Sequence, residues 1–295
     1  MRVSKQLSVL TEDAHYPQSW GVIVLSVLFA LVALALPASA QNQTPAPRSN
    51  PAQTEVTVAL VLAVDTSGSV SNARFELQKQ GYAAAFRNPQ VQNSIRSLAT
   101  QAIAVTMMQW TGPRLHVVVV DWTLINDKTS AEGFAAAIDA APRQLFGGGT
   151  SISGAIDYSR VLLAGNPFRA TRQVIDISGD GSNNSGRSVT QARDEAVADG
   201  IGINGLPILT VELGLDHYYY ENVIGGPGAF MIPAENYDTF ADAILKKLIS
   251  EIAAAGPDTD HAFARATRSQ FRPSLRQNLA TSVVPKPPVL TLVRP

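Results

Sequence analysis

The chain has 295 residues, 45% hydrophobic and 16% charged, so it is long and apolar enough to bury a core. Its formal net charge of −1 balances 23 basic against 24 acidic side chains, which argues against a nucleic-acid or anionic-membrane partner. The absence of cysteine excludes disulfides, thiolate metal sites and cysteine nucleophiles.

Residues 1–40 have the pattern of a signal peptide. An almost wholly apolar run at 21–36 precedes Ala38 and Ala40, whose spacing matches an A-x-A cleavage signal. A transmembrane anchor is the alternative, but the run is shorter than the roughly 20 apolar residues that a spanning helix needs. We therefore expect cleavage after Ala40, a periplasmic or secreted protein, and no permanent membrane anchor afterwards.

The segments on either side of the central part are biased in composition. Residues 41–54 (QNQTPAPRSNPAQT) are rich in Pro, Asn and Gln, which predicts a flexible linker. Residues 256–295 are mildly basic and end in a Pro-containing stretch, which predicts a mostly disordered tail. A solvated extension is favoured there over an arm that binds the cell envelope, because the cations are dispersed. One domain of about 200 residues, 55–255, lies between them.

Within residues 55–255, short β-branched apolar runs alternate with longer helical stretches. Strands are predicted at 56–64, 103–110, 115–125, 173–177, 207–211 and 230–233. Helices are predicted at 72–86, 130–140, 152–163, 189–199 and 237–252. The short link at 111–114 suits a hairpin, which places one antiparallel strand at a sheet edge. The pattern predicts a doubly wound, mostly parallel, six-stranded α/β sheet.

Five side-chain oxygens follow the ends of predicted strands. Asp65, Ser67 and Ser69 come directly after the first strand, and their alternate spacing across a glycine-containing turn lets them point one way. Thr150 follows three glycines, and Asp180 follows the strand at 173–177 within SGDG. Two carboxylates and three hydroxyls are hard oxygen donors, which suit a small divalent cation.

In this arrangement the sequence resembles the von Willebrand factor A (VWA) family. That family's metal-ion-dependent adhesion site (MIDAS) has the pattern D-x-S-x-S followed by a separate Thr and a separate Asp. Asp65, Ser67, Ser69, Thr150 and Asp180 fill this pattern in order, and the resemblance covers about residues 56–252. The motif sequences DTSGSV and VIDISGDGSNN most resemble those of a bacterial secreted branch of the VWA family whose function is unknown.

The resemblance implies a Rossmann-like VWA fold and a noncatalytic role. It implies that Ser67, Ser69 and Thr150 bind the ion directly or nearly so, and that the carboxylates of Asp65 and Asp180 act partly through water. It also implies that the Asp or Glu of a partner protein completes the metal shell. The expected function is a metal-dependent, adhesion-type protein-binding module of the bacterial cell envelope. Mg²⁺ or Mn²⁺ suits the donor set better than Ca²⁺.

The same five residues are compatible with three alternative roles. A metal-dependent hydrolase would use the ion to activate water, but no positioned general base accompanies the oxygens. A scaffold with a vestigial metal site is the second alternative. The third is a simple N-cap cluster that starts the helix near Asn72.

Three further features have two interpretations each. Asp176 interrupts an apolar strand, and buried structural support is favoured for it over an outer-sphere metal role. Asn183 and Asn184 either line the site or form its turn. The aromatic run at 217–220 is either an exposed recognition patch or partly core.

Overall fold

The computed structural model describes residues 53–255. The predicted signal peptide, the tail at 256–295 and nearly all of the linker lie outside the described residues. Within 53–255, no helix combines the length and the apolar character that crossing a membrane requires.

A five-stranded sheet forms the centre of the domain. Its strands are β1 (Glu55–Asp65), β2 (Ile103–Trp110), β3 (His116–Ile125), β4 (Arg169–Gly179) and β5 (Ile201–Pro207). They lie in the order β3-β2-β1-β4-β5, and the pairs are parallel except for the antiparallel pair of β2 and β3. The predicted doubly wound, mostly parallel sheet with an antiparallel edge strand is therefore confirmed.

The sheet of the described residues has five strands rather than the predicted six. The strand predicted at 207–211 was placed too late, because β5 ends at Pro207. Its sequence, IGINGLP, contains two glycines and an asparagine. These residues are poor strand formers, so the sequence of β5 does not have the pattern of a strand. The segment predicted at 230–233 makes one isolated bridge instead, from Met231 to Gly205, and a second bridge just after it joins Ala234 to Ile208. Pro233, which has no N–H to donate, lies between these two bridges.

Helices cover both faces of the sheet. One face carries α1 (Asn72–Arg87), α2 (Pro89–Arg96), α3 (Lys128–Ala140) and α7 (Phe240–Ala253). The other carries α4 (Ile152–Ala164), α5 (Val189–Ala198) and α6 (Leu215–Tyr218), which continues into a π-helical turn at Tyr219–Val223. The five predicted helices are present, whereas α2 and α6 were not predicted.

Strand β1 is the central strand, and its two sets of alternating side chains enter two different cores. Leu60 and Leu62 pack on the side of α1 and α7, and Val61 and Ala63 pack on the side of α4 and α5. Burial on both faces explains why its sequence is continuously apolar rather than alternating. Because β1 lies between β2 and β4, Asp65 at its carboxyl end occupies the middle of the sheet edge.

Candidate metal centre

The loop after β1 folds back on the carboxylate that begins it. Asp65 Oδ1 accepts a hydrogen bond from the Ser67 backbone N–H at 2.7 Å. Asp65 and Ser67 are buried, and Ser69 is half-buried. Helix α1 is capped by Ser71, whose Oγ accepts from the Arg74 N–H at 3.3 Å. An N-cap role therefore does not explain the D-x-S-x-S residues, because the cap lies beyond them.

The loops after β1 and β4 meet through side-chain oxygens. Ser69 Oγ donates to Asp180 Oδ1 at 2.5 Å, and the Ser67 and Ser69 hydroxyl oxygens are 3.3 Å apart. Asp180 is fully buried, like Asp65. Neighbouring parallel strands thus bring together residues that are far apart in the chain.

The glycine-rich loop before α4 supplies Thr150. A Cβ built on Gly68 would lie 3.4 Å from the carbonyl oxygen of Gly148, and one built on Gly181 would lie 3.6 Å from Thr150 Oγ1. Gly148 has a φ of 89°, which glycine adopts without strain and which allows this close approach. The structure therefore gathers all five predicted residues at one edge of the sheet.

Asn183 and Asn184 tie the β4 loop to the loop of Thr150. Asn184 Oδ1 accepts from the Thr150 N–H at 2.8 Å, and the Asn184 N–H donates back to the Thr150 carbonyl at 2.9 Å. Asn183 Oδ1 accepts from the Ser153 N–H at 2.9 Å. Both asparagines therefore use their side chains to hold the loops that present Thr150.

The two buried carboxylates differ in their partners. Asp180 Oδ2 accepts from the Tyr237 hydroxyl at 2.9 Å and lies 3.6 Å from Arg74 Nη1. Asp65 Oδ2 is buried and lacks a hydrogen-bond partner of good geometry. Burial raises the pKa of Asp65 to about 7, and the charge of Asp180 adds to this effect, while the Ser67 N–H opposes it. A cation beside Asp65 would offset this cost of burial.

The donor set fits a hard divalent cation. It combines hydroxyl oxygens with carboxylates, and Asp65 Oδ2 makes no hydrogen bond of good geometry with the protein. Across residues 53–255, no group of three or more His, Cys, Asp and Glu side chains could hold a metal ion. Any ion at this edge would therefore need the Ser and Thr hydroxyls as well as the two carboxylates.

Two arginines that sequence reasoning did not single out brace the D-x-S-x-S loop. Arg74 donates to the Ser69 carbonyl at 2.7 Å, and its guanidinium lies 5.2 Å from the centroid of the Tyr237 ring. Arg143 donates to the Thr66 carbonyl at 3.0 Å. Arg74 is close to the motif in sequence, but nothing local marks Tyr237 or Arg143, which arrive from other parts of the fold.

The structure distinguishes between the two interpretations of Asp176 and of the aromatic run at 217–220. Asp176 is buried, as expected, but it pairs with Lys247 Nζ of α7 at 2.7 Å. Tyr219 is buried in the core, and the Tyr218 hydroxyl accepts from the Asn183 N–H at 3.2 Å. Tyr220 is partly exposed, so the run serves both packing and surface.

A family match covers the part of the chain that contains this site. Residues 55–256 match the family described as "Protein of unknown function (DUF1194)". The chain belongs to this family. No curated protein matches the DUF1194 chain.

Solved structures with the VWA fold resemble the DUF1194 chain. Proximal thread matrix protein 1 from the mussel byssus has a TM-score of 0.51 at 13% identity, covering 68% of this chain and 47% of that protein. Another structure of the mussel protein, with a zinc-occupied MIDAS motif, has a TM-score of 0.49 at 14% identity, covering 67% and 46%. A von Willebrand factor type A protein from Catenulispora acidiphila has a TM-score of 0.48 at 14% identity, covering 68% and 43%. The match spans less than half of each of these proteins. The DUF1194 domain has a VWA fold.

Proposed function

We propose that the domain is a noncatalytic, divalent-metal-dependent protein-binding module. The ion is held at the carboxyl edge of the sheet by Asp65, Ser67, Ser69, Thr150 and Asp180. The observation that carries this proposal is the buried Asp65 Oδ2, which lacks a hydrogen-bond partner at the point where three loops converge. A buried carboxylate without a counter-charge is costly, and a bound cation removes that cost.

The contacts of each residue support different roles toward the ion. Ser67, Ser69 and Thr150 supply hydroxyl oxygens that bind directly. Asp180 already accepts hydrogen bonds on both of its oxygens, so it acts mainly through water and through Ser69. Asp65 Oδ2 is available to the ion or to a water bound to it. Mg²⁺, which retains waters in its shell, or Mn²⁺ suits this set better than Ca²⁺.

A partner carboxylate completes the metal shell. Two carboxylates balance the charge of a divalent ion, and Arg74, 3.6 Å from Asp180, adds a further positive charge. The site is therefore attractive to an anion once it is loaded, and an Asp or Glu of a partner protein supplies one. The ion would act in binding rather than in activating water.

We also propose export to the periplasm or secretion, with the signal peptide at 1–40, the linker at 41–54 and the tail at 256–295 flanking the domain. The support is the apolar run and the A-x-A pattern before Gln41. Sequencing the amino terminus of the protein isolated from cell envelopes tests this proposal, and a mature chain that retains residues 21–36 would contradict it.

Calorimetry tests metal binding directly. We expect the chelator-treated protein to bind one Mg²⁺ or Mn²⁺ per chain. Thr150→Ala should weaken binding at least about tenfold because a ligand is lost, whereas Thr150→Ser retains the hydroxyl and should bind nearly as well. Thr129→Ala is the matched control, since Thr129 is exposed on α3, which follows the opposite end of the sheet.

Two results would contradict the proposal. The first is a folded protein that binds no divalent ion. The second is turnover of a phosphoester or peptide that is lost in Asp180→Ala, because it would make the ion catalytic.

A further inference from the structure

Exposed large hydrophobic side chains gather at the sheet edge that carries the candidate metal centre. In the described part of the chain, six such residues are exposed, and four of them lie in loops at this edge. These four, which we call the apolar rim, are Leu115 (48% exposed), Phe146 (66%), Val211 (54%) and Leu213 (101%). Leu115 belongs to this edge because β3 is antiparallel to β2, so β3 begins at the edge where the parallel strands end.

One half of the apolar rim is fixed beside the D-x-S-x-S loop. The Arg143 guanidinium lies 4.9 Å from the centroid of the Phe146 ring and donates to the Thr66 carbonyl at 3.0 Å. Leu115 Cδ1 is 3.7 Å from a Cβ built on Gly148. The carbonyl oxygen of Gly148 in turn lies close to Gly68 of the D-x-S-x-S loop. Phe146 and Leu115 therefore flank the loop that carries Asp65, Ser67 and Ser69.

The other half of the apolar rim is fixed beside Asp180. Val211 and Leu213 flank Glu212, whose Oε2 accepts from the Ser182 N–H at 2.7 Å. The same oxygen is 3.9 Å from a Cβ built on Gly181, and that Cβ is 3.6 Å from Thr150 Oγ1. Glu212 thus anchors its loop close to Thr150, and the metal centre lies between two exposed apolar groups.

The charge at the centre selects an acidic ligand. A divalent ion is balanced by Asp65 and Asp180, while Arg74 and Arg143 hold positive charge against the same loop. A small carboxylate would satisfy the ion but would leave the apolar side chains in water. A protein segment that covers both would gain from the apolar contacts as well.

We propose that the partner presents an acidic side chain flanked on both sides by large apolar residues. Its carboxylate completes the metal shell, and its apolar neighbours cover the apolar rim. This inference rests on the proposed function and adds the chemistry of the partner. Aromatic and arginine side chains such as Phe146 and Arg143 are the types enriched at the centres of protein interfaces.

Synthetic peptides provide the probe. The first has a central Glu between two Leu-Phe pairs, the second replaces Glu by Gln, and the third replaces the apolar pairs by serines. Fluorescence polarisation with the purified chain in Mg²⁺ should show the first peptide binding roughly tenfold or more tighter than the third. The Gln peptide, and the first peptide in chelator, should not bind measurably.

Variants of the apolar rim separate surface contacts from metal binding. Phe146→Ser combined with Leu213→Ser should remove the advantage of the apolar-flanked peptide and leave the Mg²⁺ affinity unchanged. Val161→Ser is the matched control, because Val161 is 64% exposed but lies near the end of α4 that points away from Thr150. It should change neither affinity.

The outcomes distinguish this inference from the proposed function. If the folded chain binds no Mg²⁺, the metal site itself fails, and this inference fails with it. If Mg²⁺ binds but the apolar-flanked peptide binds no tighter than the serine-flanked one, only the apolar rim proposal is overturned. Unchanged peptide affinity in the Phe146→Ser and Leu213→Ser variant would overturn it as well.

Discussion

Two groups of buried carboxylates lie close together along β4 and the loop that follows it, and they are balanced in different ways. Asp176 within β4 pairs with Lys247 Nζ at 2.7 Å, and both side chains are fully buried. Asp180, just beyond the strand, lies in the centre where Asp65 Oδ2 has no hydrogen-bond partner of good geometry. A carboxylate with a cation from its own chain is part of the architecture, whereas one without a counter-charge is suited to an external ion.

The charges of the cluster around Asp176 are paired within the chain, although Asp176 and Lys247 Nζ make no hydrogen bond of good geometry. Burial raises the pKa of Asp176, and the charge of Lys247 opposes that shift. Glu251, one turn after Lys247, pairs with Arg172 at 2.9 Å and accepts a hydrogen bond from Asn204. These contacts join α7 to β4 and β5, so the cluster fixes the last helix against the sheet.

The candidate metal centre has a different composition. Its cation, Arg74, is partly exposed and lies 3.6 Å from Asp180, farther than Lys247 lies from Asp176. Its neutral donors, Ser69 and Tyr237, hold Asp180. We therefore expect Lys247→Met and Asp65→Asn, each of which removes one buried charge from its group, to have opposite effects on the stability of the metal-free protein.

The largest expected effect is at Lys247. Lys247→Met leaves the charge of Asp176 buried without its partner and should lower the free energy of unfolding by about 3–5 kcal/mol, measured by urea denaturation. Lys246→Met is the control, because Lys246 is exposed and should change stability by less than about 0.5 kcal/mol. If Lys247→Met fails to fold, adding Asp176→Asn should restore folding. A loss under about 1 kcal/mol for Lys247→Met would show that the pair is not structural.

At Asp65 we expect a change of intermediate size in the free energy of unfolding. In chelator its sign is opposite to that of Lys247→Met. Asp65→Asn keeps an acceptor for the Ser67 N–H but removes a buried charge close to Asp180, so in chelator the variant should be as stable as the wild type or more stable. With Mg²⁺ at about 100 times its Kd, the wild type should gain about 2.7 kcal/mol, and the variant should gain almost nothing. Urea denaturation with and without Mg²⁺ measures both. A loss of several kcal/mol in chelator would make Asp65 a structural residue like Asp176.

The smallest effect is expected at Tyr237. Tyr237→Phe removes one hydrogen bond to Asp180 Oδ2 and should cost about 1 kcal/mol of stability. Mg²⁺ affinity should fall only several-fold, because Ser69 and Arg74 still hold Asp180. The Tyr82 hydroxyl donates to Ser178 at 3.2 Å, so Tyr82→Phe should cost similar stability without changing Mg²⁺ affinity. Equal losses of Mg²⁺ affinity in both variants would argue against positioning of Asp180 by Tyr237.

The sequence predicted the elements whose signals are local. The continuous apolar run of β1 predicted a central strand, and the spacing of Asp65, Ser67 and Ser69 after it predicted that they point one way. Thr150 follows three glycines and Asp180 follows a strand, and the structure brings the loops of both to the same edge. The placement of these residues at strand ends was predictable because strand ends and turns are encoded by adjacent residues, whereas metal binding by them stays a prediction.

The tertiary structure decided the features that depend on distant neighbours. β5 was misplaced, because a short strand containing Gly202 and Gly205 is stabilised by its pairing with β4 rather than by its own residues. The cation for Asp176 and the hydroxyl for Asp180 come from Lys247 and Tyr237, and no spacing in the sequence relates them. The sequence by itself therefore determined the fold class and predicted five oxygens that lie at one edge of the sheet. Only packing decided which buried carboxylate receives a cation from the chain and which is left without one, because that balance depends on contacts between remote segments.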